Sequence, residues 1–379
     1  MAAAPPLSVI AREWGRIGCI GFGGPPTHIA LLRDLVVDRR RWMDDDEVEH
    51  AIATANLLPG PSSTQLAIFC AWRLGGSAGA LVGGLAFILP GLLAILALSA
   101  LFLGSPPRWV EGAGAGAGAV VAAVALHAGL RLLPPSWSRT AGARRARWIA
   151  YVAAGVAATA LLGALVVLVL LACGAIELLW TRRIQALAVH AWPVVLAAAS
   201  ATGGVLALCW TALKVGALSY GGGFVIIPLM QADAVDRHGW MTDPQFLNAV
   251  ALGQVTPGPV THTVAVVGYA AHGYGGALLA AAIAFAPSFL FVLVGGPRLA
   301  TLRESLMARA FLDGAGPAAI GAILGSAIPL TLALGEPWQL AVLAAGAVAL
   351  LVLRTGVVVT LLGAGAVGTA AALLGAPLP

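Results

Sequence analysis

Residues 36–61 read VVDRRRWMDDDEVEHAIATANLLPGP, and residues 234–259 read AVDRHGWMTDPQFLNAVALGQVTPGP. At an offset of 198, Asp38-Arg39 meets Asp236-Arg237, Trp42-Met43 meets Trp240-Met241, and Asp45 meets Asp243. Pro59-Gly60-Pro61 meets Pro257-Gly258-Pro259 in the same register. Upstream, Gly18, Gly23 and Gly24 meet Gly216, Gly221 and Gly222; downstream the register slips by one, and Pro90 meets Pro287. Chance does not place W-M-x-D and P-G-P at one common offset, so the chain is an internal duplication. The halves run 1–185 and 206–379, and 186–205 reads as a transmembrane segment that joins them.

Composition places both halves in a membrane. Of 379 residues 60% are apolar and 10% charged, against about 45–50% and 25% in soluble domains. Stretches without Asp, Glu, Lys or Arg cover 74–107, 148–176, 184–213 and 244–297. Crossing the hydrocarbon takes about 20 apolar residues, so each holds one span and the longest holds two. This excludes a cytosolic enzyme, a nucleic-acid binder and a disulfide-stapled secreted domain. The net charge of +5 comes from arginines clustered at hydrophobic boundaries, with Lys214 as the one lysine; that is the positive-inside pattern. Cys19, Cys70, Cys173 and Cys209 lie far apart in apolar stretches and read as small core residues. Met1–Pro6 lacks the basic start of a cleaved signal peptide, so the first hydrophobic segment is expected to stay.

Each half reads alike. A Gly-broken apolar segment (8–31 and 206–229) leads to the Trp-Met loop. An amphipathic helix then runs into P-G-P, and a short apolar helix follows to about 72 or 270. Spans are expected at 77–103, 108–131, 148–164 and 165–181, and at 275–296, 310–334, 338–353 and 356–376. The acidic run Asp44-Asp45-Asp46-Glu47 and its counterpart Thr242-Asp243-Pro244 read as helix starts. Trp42 and Trp240 read as interfacial anchors, and Met43 and Met241 as packing. Broken backbone at membrane depth is tolerated only inside protein or beside a watery cavity, and duplicated broken helices point to a transporter's binding site.

The arginines orient the halves. Arg131, Arg139, Arg144, Arg145 and Arg147 crowd one loop of the first half, whereas the matching loop near 335–337 has no basic residue, only Glu336. One loop earlier the bias reverses, Arg108 standing against Arg298, Arg303 and Arg309. The Trp-Met loops agree, with Arg33, Arg39, Arg40 and Arg41 against Arg237. Equivalent loops therefore face opposite sides. The expected fold is an all-α polytopic membrane protein of two homologous halves, an inverted repeat with broken or re-entrant helices.

Chemistry is sought at the breaks. Proline favours the first position of a helix, so Pro61 and Pro259 are expected to start half-helices with Ser62, Ser63 and Thr64, or Thr261, His262 and Thr263, in the first turn. Free N–H groups, the helix dipole and neutral hydroxyls make such a start an anion site; the alternative is a kink whose hydroxyls bond back to the preceding turn. The candidate binding set is Pro59, Gly60, Pro61, Ser62 and Ser63 with Pro257, Gly258, Pro259 and Thr261. Gly23, Gly24, Gly221 and Gly222 join it as places where backbone approaches a ligand, or else as helix-packing positions. Arg16 and Lys214 occupy equivalent positions and would neutralise a dianion, or else snorkel to the interface; Glu13 stands where it can pair with Arg16. Asn56 and Gln254, matched three residues before P-G-P, are donors to an oxyanion or caps of the broken helices. His262 is the proton-coupling candidate, because its pKa lies near physiological pH. No H-E-x-x-H and no G-x-x-x-x-G-K-[ST] occurs, so no metal or cofactor is expected, and energy is expected from an ion gradient or exchange.

Gly21-Phe22-Gly23-Gly24-Pro25, Arg39-Arg40-Arg41-Trp42-Met43 and Asn56-Leu57-Leu58-Pro59-Gly60-Pro61 resemble the chromate ion transporter (CHR) family. So do Ser219-Tyr220-Gly221-Gly222-Gly223, Trp240-Met241 and Gln254-Val255-Thr256-Pro257-Gly258-Pro259. The match covers both halves, as in the long two-domain form. The resemblance implies a multi-pass secondary transporter of the bacterial inner membrane that exports chromate, with sulfate as competitor or counter-substrate, and is not an enzyme. A general sulfate-like oxyanion carrier and an anion channel are the alternatives. Its partners would be chromate and the lipid bilayer, with no nucleic acid, and the oligomeric state, homodimer included, stays open.

Overall fold

The computed structural model describes residues 5–55, 60–142, 144–163, 166–181, 203–219, 224–295 and 306–379. Those residues form helices and connections, and no strand is found among them. They divide into two compact units, and neither unit is a sequence half. The first takes residues 1–100, 212–223 and 252–304, the second 101–211, 224–251 and 305–379. Each therefore draws on both repeats. Residues 186–202 of the expected joining segment lie outside the described residues.

In the first unit, α1 (Leu7–Ile20) buries Ile10, Trp14, Ile17 and Gly18, the 3–4 spacing of one helix face. It ends at the glycine break, where Gly23 and Gly24 have φ of 98° and 76°, and α2 (Pro25–Arg33) starts with proline in its first turn. A π-helical turn, Asp34–Arg39, leads to the Trp-Met loop. Asp44 caps α3 (Asp45–Ala55), its Oδ1 accepting Glu47 N–H at 2.8 Å. Arg33 holds Asp45 through two hydrogen bonds of 2.9 and 2.8 Å. Glu13 pairs with Arg40 and Arg12 instead of the expected Arg16; Arg16 is exposed on α1.

Composition alone reads α4 (Ser62–Leu103) as a single long span. Its backbone leaves the helix at Gly75 and Gly76, the latter with φ 61° and ψ −153°. The chain doubles back there: a Cβ on Gly79 would lie 2.3 Å from the Ala71 carbonyl oxygen. α4 is thus a hairpin with a short first arm and a long second one. The second repeat copies it. A 3₁₀ turn, Val260–His262, opens α12 (Thr263–Gly295), which breaks at His272 and Gly273, and a Cβ on Gly276 would meet the Gly268 carbonyl at 2.3 Å. The expected arm ends near 72 and 270 agree with these reversals. Between the two hairpins in sequence lies α9 (Gly204–Leu218).

The second unit is built of α5 (Arg108–Ala119), α6 (Val121–Ser138), α7 (Arg144–Leu162), α8 (Val166–Trp180), α13 (Leu306–Leu332), α14 (Pro337–Leu351) and α15 (Val357–Leu373). The Gly-Ala run of α5 packs on α15 so closely that a Cβ on Gly116 would reach within 2.2 Å of the Ala364 carbonyl, the small-residue contact of membrane helices. α7 and α8 pack on α13. Each repeat thus lends its helices to the other. A partly buried ion pair lies here: Arg147 grips Glu177 through two bonds of 2.8 Å, and Tyr151 donates to the same carboxylate at 2.9 Å.

The remaining segment, α10 (Ile226–Gln231), a π-helical turn over Ala232–Arg237 and the start of α11 (Asp243–Val255), repeats the path from α2 to α3. Trp42 and Met43 N–H groups both bond the Val36 carbonyl, and Trp240 and Met241 both bond that of Ala234. Met43 and Met241 are buried as expected. The left-handed residue of the loop is Gly239 in one repeat (φ 59°) and Arg41 in the other (φ 52°).

Helices over 62–103, 108–138, 260–295 and 309–332 are long and apolar enough to cross a membrane. The protein is an all-helical membrane protein.

Candidate functional site: the two P-G-P turns

Both P-G-P turns belong to the first unit. Gly60 and Gly258 have φ of 120° and 95°, a region open to glycine at little cost, so each turn reverses direction just before a helix begins. Pro61 then stands one place ahead of α4, its carbonyl accepting the Thr64 and Gln65 N–H groups at 3.0 Å. Pro259 caps the 3₁₀ turn in the same way and accepts His262 N–H at 3.0 Å. Both expected half-helix starts are present, the second one turn later as a regular helix.

The turns are packed by the opposite repeat. A Cβ on Gly60 would lie 3.5 Å from Ser288 Oγ and 3.2 Å from the Gly216 carbonyl. At the equivalent place a Cβ on Gly91 would lie 2.1 Å from the Pro257 carbonyl. Each turn therefore rests against the residue that follows the proline of the other repeat's long arm, Pro287-Ser288 or Pro90-Gly91. The first glycine break joins them: Gly258 N–H bonds the Gly21 carbonyl at 2.9 Å, and Gly24 faces Val260.

Ser62 and Ser63 of α4, with Thr64, are buried, as are Thr261, His262 and Thr263. A buried donor or acceptor without a partner costs about 1–3 kcal/mol, and most are satisfied. Here they gather. Thr64 Oγ1, Thr261 Oγ1, Ser219 Oγ, Ser288 Oγ, Gln254 Nε2 and both ring nitrogens of His262 are buried without a hydrogen bond. The Ile88 carbonyl faces the His262 ring outside bonding geometry, and Phe285 meets the ring edge-on at 5.3 Å. Thr263 and Thr256, by contrast, bond back to the Val260 and Leu252 carbonyls. The hydroxyls at the turns thus divide between the two readings that sequence left open.

The two cations of equivalent sequence position differ. Lys214 is buried on α9, while Arg16 is exposed, the environment of a guanidinium that reaches water or headgroups. The outward face of α1 points Arg16 away from the buried stripe of that helix. Gly23 is exposed beside Thr27, and Pro257 is half-buried at the turn. Asn56, Pro59, Gly221 and Gly222 lie outside the described residues.

Two participants escaped the sequence reading. Ser288 was readable from the repeat, since Pro90-Gly91 and Pro287-Ser288 share a register. His28 carried no signal: its counterpart is Ile226. It is wholly buried, with Nε2 2.8 Å from the Gly21 carbonyl and Nδ1 3.2 Å from Ser63 Oγ.

Sequence comparison gives the family. The model of the chromate transporter family matches residues 9–178 and 206–369, one segment in each repeat. The chromate transport protein of Cupriavidus metallidurans is 31% identical over 332 residues, 83% of this chain and 80% of the relative. That of Pseudomonas aeruginosa is 32% identical over 352 residues, 87% and 82% of the two chains. No solved structure gives a significant match. With both repeats matched and most of each relative covered, this duplicated helical membrane protein belongs to the chromate transporter family.

Proposed function

We propose that the chain is a secondary active transporter that carries chromate out across the bacterial cytoplasmic membrane and so confers chromate resistance. The dianion would sit between the P-G-P turns. The observation that carries this reading is that Thr64, Thr261 and His262 at the two helix starts, and Ser288 packed against the first turn, keep buried polar atoms without a partner. A tetrahedral oxyanion offers acceptors to all of them, and a hydrogen bond to a charged group is worth about 1.5–3 kcal/mol. Helix N-termini add their dipoles, and Lys214 supplies charge from within the same unit. His262 donates from the second turn and stays a candidate for proton coupling. Asn56, Pro59, Gly221 and Gly222 would complete the set.

The hairpins support a site at membrane depth. The first arm of α4, from Ser62 to the break at Gly75, spans about 20 Å at 1.5 Å per residue, short of the roughly 30 Å hydrocarbon core. Its start would lie deep in the core when the reversal sits at one face. The opposed arginine loops argue that the repeats are inverted, which brings the second hairpin in from the other face. The chain carries no phosphate-binding P-loop, so an ion gradient or exchange would drive export, with sulfate as competitor or counter-substrate.

The test is chromate uptake into inverted vesicles, with and without ionophores, with sulfate as competitor. Saturable uptake that depends on an imposed ion gradient or on counter-anion loaded inside the vesicles, and that falls at least tenfold in Thr261→Ala or Lys214→Gln at equal folded protein, is expected. Non-saturating flux would make the protein a channel, and equal preference for sulfate a general oxyanion carrier. Wild-type uptake in both variants would remove the site from the turns.

A further inference from the structure

We propose that His28 is the proton site that couples anion binding to proton uptake, by reversing its hydrogen bond with Ser63. This rests on the anion site proposed above. The argument begins with what each partner can do. A carbonyl oxygen only accepts, so the 2.8 Å contact with Gly21 fixes a hydrogen on Nε2 of His28. In the neutral ring Nδ1 is then a lone pair. The 3.2 Å contact with Ser63 Oγ must be a hydrogen bond donated by the serine hydroxyl. Ser63 sits in the first turn of α4. While its hydrogen is committed to Nδ1, it shows an approaching oxyanion only lone pairs.

A proton taken from water onto Nδ1 changes this. The ring becomes a double donor: Nε2–H keeps the Gly21 carbonyl, and Nδ1–H now donates to Ser63 Oγ. The serine hydrogen is released to turn toward the helix start, and the ring adds a positive charge behind it. Proton and anion thereby favour each other, and linkage makes the effect reciprocal; because the two then travel together, export would be driven by exchange for an outside anion and not by the inward proton gradient. The same Gly21 carbonyl also accepts Gly258 N–H at 2.9 Å, so the ring that reports on the first turn is tied to the second.

His262 has no such bond to reverse, both its ring nitrogens being without a partner, whereas His28 has one on each side. Phe87 meets it edge-on at 5.1 Å, and His262 is the titratable group within its electrostatic reach. Charged side chains on the neighbouring elements are engaged with one another: Glu13 of α1 with Arg40 and Arg12, Arg33 of α2 with Asp45 of α3, and Glu47 of α3 with Arg73. Lys214 of α9 is a buried cation of the same unit.

The test is chromate affinity of the purified full chain in nanodiscs across pH 5.5–8.5, with protons counted by calorimetry in buffers of different ionisation heat. Chromate's own protonation is common to every variant and cancels in the comparison. Above the ring's titration the wild type should lose about tenfold in affinity per pH unit relative to His28→Gln, and should take up about one proton more per chromate. Ser63→Ala keeps the test alive if His28→Gln does not fold. It should cost about tenfold at low pH and nothing at high pH, where the hydroxyl was already withheld. His262→Gln should weaken binding alike at every pH. A wild-type slope in His28→Gln, an equal cost of Ser63→Ala at both ends, or loss of the slope in His262→Gln would overturn the proposal. Wild-type protein that binds no chromate at any pH would instead overturn the anion site, and this inference with it.

Discussion

Alanine at Gly91 puts the packing of the second P-G-P turn to a quantitative test. Gly91 is helical, in the long arm of α4, and by helix propensity alone alanine should stabilise it by about 0.5–1 kcal/mol. Its Cβ, however, would stand 2.1 Å from the Pro257 carbonyl oxygen and 2.7 Å from Cε1 of His262. Restoring an ordinary contact of about 3.3 Å requires the turn to retreat by roughly 1 Å. That movement takes the 2.9 Å bond from Gly258 N–H to Gly21 beyond about 3.5 Å, where hydrogen bonding fails. Overpacking costs about 1–3 kcal/mol and the lost bond about 0.5–1.5 kcal/mol. Set against propensity, the net destabilisation is roughly 0.5–4 kcal/mol. Binding should suffer separately, because Thr261 and His262 ride on the displaced turn: a lost charge-assisted bond of about 1.5–3 kcal/mol is a fall of roughly 10–150-fold. The assay is thermal unfolding and chromate affinity per folded protein, with Gly275→Ala, whose Cβ meets nothing within 4 Å, as control. A Gly91→Ala protein that folds and binds chromate with wild-type affinity would refute the placement of the anion at this turn.

Three further outcomes are expected. Arg41→Gly relieves a left-handed arginine where the other repeat already uses glycine, and should raise stability by about 1 kcal/mol, read as a higher Tm; a lower Tm would show that the arginine side chain outweighs the backbone. Glu177→Gln leaves the half-buried Arg147 without its counter-charge and should cost about 1–3 kcal/mol, seen as a lower Tm with unchanged affinity in the folded protein; an unchanged Tm would contradict the assigned weight of that pair. Cysteines placed at Ser138 and Glu336 in a cysteine-free background should label from the cytoplasm and the outside respectively, and labelling of both from one side would end the inverted-repeat argument.

What could be read in the sequence was local. The helix starts at Asp45 and Asp243, the turns at Gly60 and Gly258, and the reversals near 75 and 273 each have residues on the spot that force them. The interleaving of the repeats was not legible, because which helix packs on which is decided by side chains far apart in the chain, such as Gly116 and Ala364. Arg16 and Lys214 carry the same signature in sequence, since a cation near the start of an apolar segment reads alike whether it turns outward or inward. Only the packed face of each helix separates them. His28 is a single histidine outside the repeated motifs, and nothing in its neighbours announces the Gly21 carbonyl or Ser63. Ser288 was within reach of the repeat register, because it stands where Gly91 admits the opposite turn.

The Gly-Ala face of α5 also sets a timetable for the making of this protein. Gly112 and Gly116 close upon Gly368 and Ala364 of α15, which the ribosome adds only after the whole of the second repeat's hairpin and α13 have followed. At about 5–20 residues per second, that delay is on the order of tens of seconds. For that interval a groove of backbone and methyl groups, shaped for one particular neighbour, stands in the bilayer against lipid. Insertion machinery or a membrane chaperone is the natural occupant during the wait, and a nascent chain arrested before residue 357 would display that groove indefinitely to proteases of the membrane.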